Sequence, residues 1–193
     1  GGGGFDNTNG TIEAQAGSTV RLTSGALIVG GTLTTSGSGV VTTPSGGAVQ
    51  DTATLNGVTV SSGSRFVGAD NSQTTLLNTI TNSGTMELAS TGNGADLFIS
   101  GDVTLTGGGS VLMGNHINNR IRGGTTGRLI NDATHTIAGS GQIGAQLIAI
   151  TNAGLIVAFA KDAPIALVSD EFAPAKWLGV LGFIGLVFAL YRW

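Results

Sequence analysis

As far as Phe159 the chain alternates polar residues with β-branched or aliphatic ones in short runs. Thr11-Ile12-Glu13-Ala14, Thr19-Val20-Arg21-Leu22, Val58-Thr59-Val60, Thr85-Met86-Glu87-Leu88 and Val103-Thr104-Leu105-Thr106 show it most clearly. A period of two puts one set of side chains on each face of an extended strand. Gly, Asn and Ser interrupt the runs every few residues and supply turns that tolerate positive φ. No helical period is sustained before Phe159, so the pattern predicts short strands joined by many turns.

The runs also repeat in kind. A strand entered through Gly-Ser occurs at Gly17-Ser18, Gly37-Ser38, Gly63-Ser64, Gly109-Ser110 and Gly139-Ser140, with a weaker copy at Gly92-Asn93. The mean spacing is about 24 residues, a solenoid period. Asn82-Ser83-Gly84-Thr85-Met86 returns as Asn152-Ala153-Gly154-Leu155-Ile156. These repeats predict an all-β chain folded as a right-handed parallel β-helix of about 6–7 coils, a rod roughly 30 Å long. Val, Ile and Leu should stack inside it, while Asn, Thr and Ser stack at the corners and satisfy turn backbone. A β-sandwich shares the strand spacing, but it does not require a unit that returns in kind.

The pattern then changes. Of the 34 Gly, 31 precede Phe159, and seven of the ten aromatics lie from Phe159 onward. Residues 1–158 read as the β-solenoid, 159–176 as a linker with two prolines and several charges, and 177–193 as an apolar segment. Leu178 to Tyr191 carries no charge. As a helix, 177–193 is roughly 25 Å long, enough for a short membrane crossing. Trp177, Tyr191 and Trp193 suit the two interfaces, and Lys176 and Arg192 can snorkel outward. Gly179, Gly182, Gly185 and Ala189 supply small residues for helix packing, which lets another membrane helix approach closely. The alternative for this segment is a helix buried in the solenoid or capping its end.

Asp170 and Glu171 precede the segment and Arg192 follows it. The positive-inside rule then puts the C-terminus in the cytoplasm and the β-domain on the extracytoplasmic side of the membrane. The chain opens on four glycines with neither Met nor a signal segment, so either an export signal was removed or the N-terminus is incomplete.

Composition narrows the function. With no Cys there is no disulfide framework or thiolate metal site. Charged residues are 10%, the net charge is −3 and the mean hydropathy is +0.31. That argues against a disordered acidic chain and a nucleic-acid binder. Two His make a His-rich metal centre a poor fit, and no cofactor is expected. Gly1-Gly2-Gly3-Gly4-Phe5-Asp6 matches a calcium-repeat unit, but once only, and such sites form between successive repeats. Gly123-Gly124-Thr125-Thr126-Gly127-Arg128 lacks the Gly-Lys-Ser/Thr end of a phosphate loop.

Arg120, Arg122 and Arg128, with His116 nearby, form the one basic cluster. They could contact an anion, an acidic glycan or a lipid headgroup, or simply sit in a solvated loop. A β-helix polysaccharide lyase would need clustered acids and a base on one face, and Asp96 and Asp102 with Arg120 or Arg122 are the set on offer. His135 lies in Thr134-His135-Thr136-Ile137, where the alternation predicts that it points to solvent.

Ile80–Leu88, Ile150–Val157 and Gly139–Gly144 resemble repeats of bacterial exported β-solenoids, among them autotransporter passenger and filamentous-adhesin-like domains. The C-terminal layout is similar to a PEP-CTERM sorting tail: a short motif, a membrane helix and a basic end. Here Phe172-Ala173-Pro174-Ala175 stands in the motif position and Arg192 alone forms the basic end. These resemblances imply surface, matrix or scaffold roles without catalysis. The expectation is a non-catalytic single-pass membrane protein. Its solenoid would be a structural subunit of a larger assembly, with the bilayer and other membrane helices as partners. A tethered adhesin or matrix protein that contacts glycans is the second reading, and a lyase the third.

Overall fold

The computed structural model describes residues 4–124, 126–146, 148–159 and 164–168. The chain is a parallel β-solenoid of about seven turns. Numbering coils by the strand residue that opens each, coil 1 starts at Phe5, then Ala26, Asp51, Ser72, Ala95, Asn119 and Gly141, and Ile165 opens an eighth. Each coil lays strands on three faces. The first face takes the opening strands. The second holds Thr11–Ala14, Thr32–Thr35, Thr59–Val60, Arg128–Asn131 and Ala149–Asn152, with the later parts of Ser72–Asn82 and Ala95–Thr106 between them. The third holds Thr19–Arg21, Val40–Thr43, Arg65–Ala69, Thr85–Ala89 and Leu155–Ala158, with the early parts of Ser110–Gly123 and Thr136–Ala145. Every pairing is parallel, which replaces the sandwich alternative with a stack.

The alternation seen in the sequence is what fills the core. Ile28, Leu55, Leu76 and Ile99 stand in register on the first face, and Val41, Phe66, Met86, Val111 and Ile137 on the third. All nine are buried. Burying one such side chain is worth about 1.5–3 kcal/mol, so each rung holds its neighbours. The first-face column continues into Gly123, where a Cβ would collide with Ile148 Cγ2. Ile148 therefore fills the place that a side chain on Gly123 would take.

The coils are unequal, from 21 residues between Leu55 and Leu76 to 27 between Ile28 and Leu55. The longer coil carries the extra loop 44–50. Asn71 Nδ2 holds it by donating to Gly47 O at 2.9 Å, and Gln50 Nε2 donates to Ser72 O at 2.9 Å. Gly-Ser marks the turn into the third face at residues 17, 37, 63 and 109, just before the strands at Thr19, Val40, Arg65 and Ser110. Gly139-Ser140 and Gly92-Asn93 sit elsewhere in the coil, so the regular spacing mixes two places. Gly84 and Gly154 mark the third-face turn in coils 4 and 7.

Among the described residues no helix is long and apolar enough to cross a membrane. The expected helix 177–193 lies outside the described residues. So do its interface residues Lys176, Trp177, Tyr191, Arg192 and Trp193, and its packing residues Gly179, Gly182, Gly185 and Ala189.

Candidate functional site

The basic cluster seen in the sequence divides. On the outside of the first face, Gln73, Asp96, Arg120 and Gln142 fall in one register column, and Thr75, Phe98 and Arg122 in the next. Arg120 grips Asp96 with a two-pronged fork: Nε donates to Oδ1 at 2.7 Å and Nη2 to Oδ2 at 2.9 Å. Arg122 Nε donates to Oδ2 at 2.8 Å, and Gln50 Nε2 to the same oxygen at 3.2 Å. Under these groups Asp96 is fully buried although it points away from the core. Its hydrogen bond holds the Arg120 guanidinium above the ordinary arginine range.

Arg122 uses all three of its nitrogens. Its Nη1 donates to Gln146 Oε1 at 2.6 Å and its Nη2 to Gln73 Oε1 at 2.7 Å. Its guanidinium carbon lies 5.5 Å from the Phe98 ring centroid, within cation–π range. The side chains of this network come from the end of coil 2 and from coils 4, 5, 6 and 7. A carboxylate ligand would have to displace Asp96 from a bidentate pairing, the strongest geometry such a group can find. The cluster therefore acts as a clasp across coils, with one positive charge in excess.

Arg128 stands apart on the second face, in register with Asp102, and its Nη1 donates to Thr151 Oγ1 at 3.1 Å. Asp96 and Asp102 thus belong to different faces, and the acid–base set considered for a lyase is not assembled. Among the described residues no group of three or more His, Asp or Glu could hold a metal ion. His116 Nδ1 lies 3.0 Å from Ser90 Oγ and accepts from Asn118 N at 3.1 Å.

His135 corrects the sequence reading. It is 1% exposed, not solvated. It occupies the rung just before the third-face strand, where the other coils carry Ser64, Gly84, Gly109 and Gly154. The alternation itself holds: His135 stands two residues before the buried Ile137 and shares its inward face, with Thr134 and Thr136 on the other side. Its Nδ1 donates to Asn131 Oδ1 at 2.7 Å, and Asn131 Nδ2 donates to Asn152 Oδ1 at 2.7 Å. Burial pushes the imidazole down to about 4.

The third face has an open trough of about 680 Å³. Thr85, Ser110, Thr136 and Phe159 are among the residues that line it. Arg65 and Glu87 pair at its side, Nη2 to Oε2 at 2.6 Å.

Sequence reasoning missed Gln50, Gln73, Gln146 and Phe98. The signal was present: Gln73, Asp96, Arg120 and Gln142 recur one coil apart, which becomes visible once the register is known. Comparison with protein-family models, curated proteins and solved structures finds no match to this chain.

Proposed function

We propose that this chain is a non-catalytic structural subunit, a short rigid rod tethered to a bacterial inner membrane by residues 177–193. The rod stands on the periplasmic or extracellular side, the C-terminus is cytoplasmic, and the tether packs against helices of a larger membrane assembly. One observation carries the reading: the basic side chains best placed to take a ligand, Arg120 and Arg122, are bound to Asp96 and lock coils together. Arginines held by a carboxylate of the same chain tie coils together and leave that cluster little for substrate. The apolar run Leu178 to Tyr191, with Gly179, Gly182, Gly185 and Ala189 in and beside it, supports the tether. The resemblance to exported solenoids supports the placement. The test is native mass and cross-linking of the full chain in mild detergent. A complex larger than the monomer that disappears on deleting 177–193 supports the reading, and a monomer under all conditions refutes it.

A second reading, a tethered surface adhesin, is favoured by the third-face trough. Its lining by Thr85, Ser110 and Thr136 beside Phe159 suits an uncharged glycan. Glycan-array binding that Ser110→Trp abolishes would establish it.

A further inference from the structure

The C-terminal end of the rod is apolar. From Thr136 to Ala160 the sequence holds no charged residue and no His, and the next charges, Lys161 and Asp162, fall outside the described residues. The strands Ala149–Asn152, Leu155–Ala158 and Ile165–Leu167 pair only with the preceding coil among the described residues. With no rung described beneath them, a hollow of about 660 Å³ opens between Ile143, Ile148, Ile150, Ile156, Ile165 and Leu167. Leu155 is 56% exposed and Leu167 70%. At the other end, coil 1 carries Asp6, Glu13 and Arg21.

We propose that this end seats on the bilayer surface, so that the rod stands end-on at the headgroup level. The inference rests on the tether proposed above. Eight residues, 169–176, separate Val168 from Trp177, and a chain of that length spans no more than about 30 Å. The apolar end is therefore held close to the membrane. The sides of the rod are a poorer seat, because they carry Arg65, Glu87, Asp102 and Arg128. Depth is limited by the backbone. Among the described residues the last strands have N–H and C=O groups without a neighbouring strand, and such groups are costly in hydrocarbon. They keep their hydrogen bonds only where water remains. Leu155 and Leu167 reach the acyl boundary while the strands stay among the headgroups.

The chain has no Cys, so single nitroxide labels can be placed on the full protein in phosphatidylcholine vesicles. Leu155→Cys and Leu167→Cys report the end, Val49→Cys an exposed loop, and Ile184→Cys the tether. Collisions with oxygen, which concentrates in lipid, are compared with those of a water-soluble nickel chelate. The expected result shifts labels 155 and 167 toward oxygen relative to 49, with 184 shifted furthest. If 155 and 167 match 49 while 184 is lipidic, the seating is refuted and the tether stands. If 155 and 167 are shielded from both reagents, a second copy or the chain's own tail covers the end, and the seating is again refuted. If 184 is in water, the tether falls and the seating falls with it.

Discussion

Asn82 and His135 lie two coils apart, yet Asn82 Nδ2 donates to His135 Nε2 at 3.1 Å. On the rung between them stands Gly109, where a Cβ would run into the Gly84 carbonyl. The other hydrogen on Asn82 Nδ2 goes to Ser110 O at 2.8 Å. A neutral imidazole with its proton on Nδ1 accepts from Asn82 and donates to Asn131, so the arrangement needs an uncharged ring. Asn82 Oδ1 has no hydrogen-bond partner among the described residues.

Stability should therefore depend on pH. The unfolded chain binds a proton on His135 as pH falls below the ordinary value of 6.5, whereas the folded chain resists until about 4. Stabilisation is complete above pH 6.5 and falls as pH drops through that window, by up to about 3 kcal/mol. Unfolding followed by circular dichroism at pH 7 and pH 4.5 measures it, and His135→Asn should flatten the slope. Asp70 is held below its ordinary value by backbone N–H donors, first that of Thr91, so its contribution is lost only below pH 3.8. The two effects occupy separate ranges.

Asp96→Ala should destabilise the rod by about 3 kcal/mol, because it leaves two arginines without the carboxylate they share. Arg65→Ala, which breaks the exposed pair with Glu87, should cost no more than about 1 kcal/mol. Denaturant midpoints of the two variants test the contrast. Equal losses would show that the clasp is no stronger than a surface ion pair.

Gly139→Ala should be among the most damaging glycine substitutions. Its φ is 119°, and a Cβ there would run into the Met113 carbonyl. Strain and collision together should cost about 3 kcal/mol or more. Gly124→Ala meets open space and should change stability by less than about 0.5 kcal/mol. Thermal melts of the pair read the difference.

Leu76→Ala should cost about 2–5 kcal/mol, since Leu76 is fully buried between Leu55 and Ile99. A small loss would mean that neighbouring coils collapse into the gap.

The parallel stack and its interior were legible in the sequence because alternation and Gly-Ser turns are local signals. Val103-Thr104-Leu105-Thr106 fixes which side chains face in, whatever lies above or below. The clasp was not legible, because it depends on register. Asp96 and Arg120 meet only when coil 5 is exactly as long as the fold makes it. The varying coil lengths blurred that, as did Gly139-Ser140, which marks a different corner from Gly109-Ser110. His135 is a different case: its burial was legible, because it stands two residues before Ile137 and the same period of two turns both side chains inward.

The clasp gives the rod a seam. A stack of coils opens from its ends, each turn resting chiefly on the next. The seam runs from Gln50 to Gln146, which leaves the first two turns unriveted. A protease should erode those turns first and then stall, so that digestion leaves a resistant fragment beginning near residue 50. Wear on the rod would start at its N-terminal tip, the end farthest from the mooring proposed above.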